Sequence, residues 1–247
     1  MYQFFTENEQ ICDGRIRITG SDVNHIKNVL RMRPGEQVRI SCPSGSSFFC
    51  HVEEIQTDCV SLAIDRPDDC GTEFAHRVFL FQGLAKGDKM ELVIQKAVEL
   101  GVYALIPVAM KNCVVQLDEK KARERTKRWQ AIAESAAKQS GRSLIPEVHV
   151  PVSWREALAL AEELAELVLV PYENERGLTH TREVIGGIAE GAPVAVMIGP
   201  EGGFAPEEIK SVRESAHCRV ISLGRRILRT ETAGPATLAM LVYALDD

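Results

Sequence analysis

Two short stretches carry residue types that do chemistry when a chain folds around a ligand. The first is Ile198-Gly199-Pro200-Glu201-Gly202-Gly203, which closes the apolar run Val194–Ile198 and precedes Pro206-Glu207-Glu208-Ile209. The second is Leu223-Gly224-Arg225-Arg226-Ile227-Leu228-Arg229-Thr230-Glu231-Thr232-Ala233, which follows the run from Arg219. Glycines behind a buried strand permit positive φ and let backbone approach a ligand closely. Neither stretch reads G-x-x-x-x-G-K-[ST] or G-x-G-x-x-G, so a phosphate cradle is not indicated. Glu201 repels phosphate and suits a ligand with positive charge, such as a sulfonium bearing an α-amino group. Taken singly, each loop also reads as plain architecture. The first is then a strand–helix turn, and the second a terminal helix capped by Thr230 with Glu231 in its first turn. Two such loops on neighbouring βα units favour one shared pocket.

The elements that would position these loops are legible from about residue 76. Strand-like apolar runs fall at Val78–Leu84, Ala104–Val108, Leu167–Val170, Val194–Ile198 and Arg219–Leu223. Met90, Val93, Ile94, Ala97 and Val98 form a helical stripe ending at Gly101. Further helices are predicted near 120–139, 153–165, 206–216 and 231–245. Apolar strands alternating with helices indicate a parallel sheet covered on both faces. Ligands in such sheets sit beyond the carboxyl ends of the strands, where both loops fall. Residues 1–70 follow another grammar. Short strands at 15–18, 37–41, 47–52 and 59–64 are punctuated by Pro34-Gly35 and Pro43-Ser44-Gly45. A helix with Ser21 as N-cap and Val23, Ile26, Val29 and Leu30 on one face interrupts them. This predicts a small β-barrel, with Arg66–Thr72 as linker.

Hydrophobic residues make up 45% of the 247 and charged residues 26%, an ordinary globular balance. The net charge of −6 does not advertise nucleic acid, so any such partner must meet local charge. Residues 111–142 hold nine basic side chains against four acidic, and residues 15–39 hold six against two. Such islands are the footprint of a phosphate-backbone contact. A solvated helix face laced by i,i+4 pairs accounts equally well for 120–128. No apolar run approaches the roughly 20 residues of a membrane span. No basic-then-apolar leader opens the chain, so a cytoplasmic protein is expected. The seven cysteines and six histidines are scattered without metal-ligand spacing. No metal is expected, and the cysteines are expected to be free thiols.

Gly199-Pro200-Glu201-Gly202-Gly203, Leu223-Gly224 and Ile227–Ala233 together resemble the RsmE family of SPOUT-class methyltransferases. Upstream, Gly83–Glu91 and Ile94–Val102 are similar to that family's first βα unit. His25-Ile26, Val29–Met32 and Gly35 are similar to its N-terminal domain. The resemblance implies methylation of N3 of a uridine in 16S ribosomal RNA, with S-adenosylmethionine as cofactor. It implies a PUA-like RNA-binding barrel over 1–70, a linker over 71–77 and an α/β trefoil-knot SPOUT domain over 78–247. The cofactor wall it implies comprises Pro171, Ile198, Gly199, Pro200, Glu201, Gly202, Gly203, Leu223, Gly224, Leu228, Thr230, Thr232 and Ala233. Arg229 would stabilise an enolate-like uracil oxygen, while Glu201 or Glu231 would orient groups or take the N3 proton. Arg31, Arg33, Lys86, Lys121, Arg128, Arg142 and Arg226 would meet RNA of the small ribosomal subunit. A homodimer is implied.

Two positions depart from the family pattern. Gln3 stands where an arginine is usual, which puts that RNA contact in question. Arg225 replaces a proline, which adds charge beside the loop. Two other readings remain at this point. One is another SPOUT enzyme acting on a ribose 2′-OH or on tRNA. The other is a non-catalytic RNA-binding module with this fold.

Overall fold

The computed structural model describes residues 1–43, 45–69 and 71–246. Ser44 of the predicted turn and Cys70 of the predicted linker lie outside the described residues. The chain forms two compact units. One is Met1–Glu73 together with Ala137–Ile145. The other is Phe74–Ala136 together with the chain from Pro146 on. The segment Ala137–Ile145 thus joins the first unit although it is distant in sequence.

In the first unit the strands are β1 (Tyr2–Phe5), β2 (Ile11–Cys12), β3 (Arg15–Thr19), β4 (Gln37–Ser41), β5 (Ser47–Ile55) and β6 (Cys59–Pro67). They form one sheet in the order β1-β4-β5-β6-β3-β2. Alternation sets the faces: Ile16 and Ile18 of β3 point inward while Arg15 and Arg17 point out. Phe4 near one end of the sheet and Ile16 and Ile18 near the other share one core with Val38, Ile40 and Leu62. The sheet must therefore roll around that core, as a PUA-like barrel does. The predicted helix is shorter than its pattern suggests. α1 (Ser21–Asn24) is preceded by Gly20 as N-cap and continues as a π-helical turn over His25–Val29. The wider turn keeps Val23 and Ile26 buried but leaves Val29 63% exposed.

The joined segment is held by polar contacts within the unit. Arg39 Nη1 donates to the Gly141 carbonyl at 2.8 Å. Gln3 Nε2 donates to the Arg142 carbonyl and to Ser41 Oγ. The glutamine that departs from the family pattern is therefore a buried bracket of this unit. β1 was not legible in the sequence because its four residues pair in parallel with β4, without a hairpin turn to mark them.

The second unit is a parallel sheet with helices between its strands. Its strands are β7 (Val78–Gly83), β8 (Ala104–Ala109), β9 (Glu147–Val148), β10 (Val152–Ser153), β11 (Leu167–Pro171), β12 (Val194–Ile198) and β13 (Cys218–Ile221). Its helices are α2 (Lys89–Glu99), α3 (Glu119–Ser140), α4 (Trp154–Leu164), α5 (Thr179–Gly186), α6 (Pro206–Glu214) and α7 (Thr230–Leu245). The last turn of α3 falls in the segment that joins the first unit. The sheet order is β10-β8-β7-β12-β11-β13, with β9 also on β8, and every pairing is parallel. β7 and β12 are buried along their whole length, as a doubly covered sheet requires. Ser153 caps α4 in a capping box with Glu156, and Pro206 opens α6 at a position where its missing N–H costs nothing.

β13 ends two residues sooner than its apolar run. The Thr181 hydroxyl of α5 donates to the Ser222 carbonyl at 3.0 Å and accepts from the Ser222 N–H at 3.1 Å. That exchange draws the chain off the sheet just before Leu223. Among the described cysteines none is paired. Cys42, Cys50, Cys59 and Cys218 are buried, and burial pushes the Cys50 thiol up to about 12.

Candidate active site

β12, β11 and β13 are neighbours in the sheet, so the segments leaving their carboxyl ends emerge side by side. Residues 198–204, 171–173, 176, 223–230 and 233 surround a cavity of about 510 Å³. That is within the few-hundred-to-1,000 Å³ range, roughly, of small-molecule sites. The two loops read from sequence are therefore opposite walls of one cleft.

The glycines of the first loop answer to protein neighbours as well as to a ligand. A Cβ at Gly202 would lie 2.9 Å from Asn112 Cβ and 3.0 Å from the Asn112 carbonyl oxygen. Asn112 in turn donates to the Gly202 and Gly203 carbonyls at 3.1 and 3.3 Å. Gly203 has φ +66°, and a Cβ there would lie 2.9 Å from Glu173 Oε1. At Gly83, where β7 ends, a Cβ would sit 2.6 Å from the Pro200 nitrogen. The loop therefore leaves β12 packed against the end of its neighbour β7 at backbone-to-backbone distance.

Under the cleft the two loops are tied together. Thr230 Oγ1 donates to the Gly199 carbonyl at 2.7 Å and accepts from Gln82 Nε2 at 2.9 Å. All of these groups are buried, where an unmet partner is costly. Thr230 is thus the first residue of α7, and Arg229 is the N-cap. The hydroxyl expected to cap the helix is used across the sheet instead.

At the rim stands a cluster of charge. Glu201 Oε1 accepts from the Lys86 N–H at 3.0 Å and lies 3.3 Å from Lys89 Nζ. The same ammonium lies 3.2 Å from Glu231 Oε2. Burial pushes the Glu201 carboxyl up. The Lys86 N–H, the residue's own N–H and Lys89 outweigh it, leaving the carboxyl below its ordinary range. Both carboxylates hold the Lys89 ammonium above its ordinary value, Glu231 most strongly.

Of the predicted cofactor residues, all line the cavity except Thr232. Thr230 and Ala233 lie nearly one turn apart on the cavity face of α7, whereas Thr232 points to solvent. Arg229, Glu201 and Arg226 also line it. Glu231 does not. Its carboxylate faces Lys89 at the rim. Sequence reasoning missed Tyr172, Glu173 and Arg176, which follow β11 without a glycine to flag them. Among the described residues, Arg225, Arg226 and Arg229 make no ion pair.

The other basic residues separate. Arg31 and Arg33 are exposed on the first unit, and Arg31 adopts φ +54°, an uncommon left-handed conformation outside glycine. Lys86, Lys121 and Arg128 are exposed on the second unit. Lys121 pairs with Asp118 and Arg128 with Glu91. Arg142 is a correction. Its side chain is 4% exposed and gripped by Glu73, so it is a strut of the first unit with no face for RNA. Among the described residues no helix is long and apolar enough to cross a membrane, and no group of three or more metal-ligating side chains is gathered.

Comparison with known proteins gives a consistent picture. The RNA methyltransferase domain family matches residues 72–242, and the RNA methyltransferase PUA domain matches residues 18–64. The chain is 34% identical over 228 residues to the ribosomal RNA small subunit methyltransferase E of Bacillus subtilis, covering 92% of this chain and 89% of that one. It superposes with TM-score 0.83 and 30% identity on the Neisseria gonorrhoeae ribosomal RNA small subunit methyltransferase E bound to S-adenosyl methionine, covering 99% and 98% of the two chains. A putative methyltransferase of Legionella pneumophila, in complex with the same cofactor, superposes with TM-score 0.84 at 30% identity, covering 100% and 98%.

Proposed function

The chain belongs to the RNA methyltransferase domain family and also carries an RNA methyltransferase PUA domain, and on that premise we propose that it transfers a methyl group from S-adenosylmethionine to N3 of one uridine in 16S ribosomal RNA. The observation that carries the reading is the single cleft formed by the two glycine loops, with Arg225, Arg226 and Arg229 on its wall.

The cleft fits the cofactor's chemistry. Glycine backbone at 199, 202, 203 and 224 and the apolar side chains of Leu223, Leu228 and Ala233 would hold it. The carboxylates of Glu173 and Glu201 suit its cationic groups. When bound, S-adenosylmethionine supplies an electrophilic methyl group on a sulfonium. The walls position the nucleophile, and positioning alone is worth several kcal/mol, about 7–11 at best. Uracil N3 lies on the Watson–Crick edge, so the base must be unpaired or extruded to enter.

N3 carries a proton, and the developing anion needs a donor at an adjacent carbonyl oxygen. Arg229, at the N-cap of α7, is the group for this, and Arg226 flanks it. Glu201 is ionised, its carboxyl lies below the ordinary range, and Oε1 already accepts from Lys86. It orients the loop in this scheme and does not carry the proton, which leaves to water.

The first unit is the RNA-docking domain in this reading, with Arg31 and Arg33 as phosphate contacts. Lys86, Lys121 and Arg128 serve the same role on the second. Exposed Ile227 and Tyr243, at 81% and 91%, support a homodimer burying part of this surface. The match of residues 72–242 to the RNA methyltransferase domain family supports a trefoil knot in the second unit. A ribosomal RNA substrate supports a cytoplasmic location.

The test is purified protein with isotopically labelled S-adenosylmethionine and unmodified small subunits, followed by nucleoside analysis. Label in 3-methyluridine is the expected result. Label in a ribose 2′-O-methyl nucleoside would move the protein to another SPOUT class, and cofactor binding without any transfer would make it a binding module.

A further inference from the structure

Lys89 stands in an electrostatically unusual place. It is the first residue of α2, where the helix dipole disfavours a cation. Two carboxylates surround it. Glu201 comes from the loop after β12, and Glu231 from the first turn of α7 on the opposite side of the cleft. Glu231 Oε2 is shut off from water and has no hydrogen-bond donor in good alignment among the described residues. The ammonium 3.2 Å away is what compensates its charge. Two carboxylates brought against one point without a cation repel, and one of them protonates or swings away. The charged groups at this point are the Lys89 ammonium from α2, Glu201 from the first loop and Glu231 from α7. The Lys86 N–H adds its dipole from the turn before α2.

We propose that Lys89 is a positioning residue of the cleft: its single ammonium clasps Glu201 to Glu231 and so holds the two cofactor loops at their working separation. The Thr230–Gly199 hydrogen bond fixes the loops beneath the cavity, and Lys89 fixes them at the rim. Lys89 acts through the carboxylates and not on the ligand, since it is absent from the cavity lining. The proposal rests on the reading of the cleft as an S-adenosylmethionine site, and it predicts a coupling that a simple ligand contact lacks.

The experiment is calorimetric titration of S-adenosylmethionine into wild type, Lys89→Met, Lys89→Arg, Glu231→Gln and the double variant Lys89→Met/Glu231→Gln, each checked for an unchanged fold by circular dichroism. Lys89→Met weakens binding by about fivefold or more, within the range of coupling between contacting groups. Lys89→Arg restores most of it. In the Glu231→Gln background the same Lys89→Met change costs less than about twofold, because the repulsion it exposed is gone. An unchanged affinity in Lys89→Met overturns the proposal, and so does an equal loss in both backgrounds. If wild type binds no S-adenosylmethionine, the cofactor reading fails, and the clasp is decided without ligand. The Glu201 carboxyl ¹³C resonance then titrates at higher pH in Lys89→Met than in wild type, and an unmoved midpoint overturns the clasp.

Discussion

The Thr230 hydroxyl donates to the Gly199 carbonyl at 2.7 Å, joining residues 31 positions apart under the floor of the cleft. Gln82 donates to the same hydroxyl from β7, so one side chain connects a central strand and both glycine loops. Thr230→Val keeps the shape and removes both bonds. It is expected to cost about 1–3 kcal/mol, the penalty for leaving buried groups unmet. The variant's lowered melting temperature is accompanied by weaker S-adenosylmethionine binding, measured by calorimetry. A variant destabilised with cofactor affinity intact would show that the tie serves the fold alone.

Arg229 lines the cavity without an ion pair among the described residues and is assigned to the developing uracil anion. Arg229→Ala is expected to lower single-turnover methylation of small subunits by about 10²–10³-fold, as loss of one oxyanion donor does elsewhere. Cofactor affinity in the same variant stays within a few-fold of wild type. Near-normal turnover contradicts the role.

Arg142 belongs to stability. Burial pushes the Glu73 carboxyl up, but the Arg142 guanidinium and the Leu144 and Ser143 N–H groups outweigh it and hold the carboxyl below its ordinary range. A carboxyl depressed in the folded state adds stability above its unfolded pKa, and that stability is lost as pH falls through the folded value. Arg142 is buried but Glu73 is 30% exposed, so removing the guanidinium costs about 1–3 kcal/mol. Thermal melts of wild type and Arg142→Met should therefore differ most at neutral pH. The gap narrows as pH falls below about 4, the ordinary carboxylate range. RNA affinity measured well below both melting temperatures should be equal in the two proteins.

Arg128 is the opposite case. Its guanidinium is 67% exposed and lies beside Glu91 at the surface. If it meets a phosphate, Arg128→Ala reduces the slope of log affinity against log salt by about 1 for small-subunit RNA, with no change in melting temperature. A slope equal to that of wild type places Arg128 among solvated surface charges.

The sequence announced the first loop because Gly199 directly follows a buried apolar run, and the second because Gly224 stands shortly after the run from Arg219. Val194–Ile198 is a strand with those same bounds. Of the third wall only Pro171 was named beforehand: Tyr172, Glu173 and Arg176 leave β11 through ordinary polar residues. α5 was silent too, since only Thr181 and Ile185 of its eight residues are buried and so give no stripe. Charge counting placed Arg142 in a basic island because its partner, Glu73, lies 69 residues away. The Thr230 hydroxyl was misread for a related reason. Local spacing offered a helix cap, and the fold supplied a carbonyl from the other glycine loop.

The proposed reaction is methylation of uridine N3 in 16S ribosomal RNA. Its most direct test is mass spectrometry of nucleosides from the 16S RNA of a strain lacking this gene, complemented with wild type or with Arg229→Ala. 3-Methyluridine is expected to disappear in the deletion, return with wild type and fail to return with the variant. Unchanged 3-methyluridine in the deletion strain would contradict it.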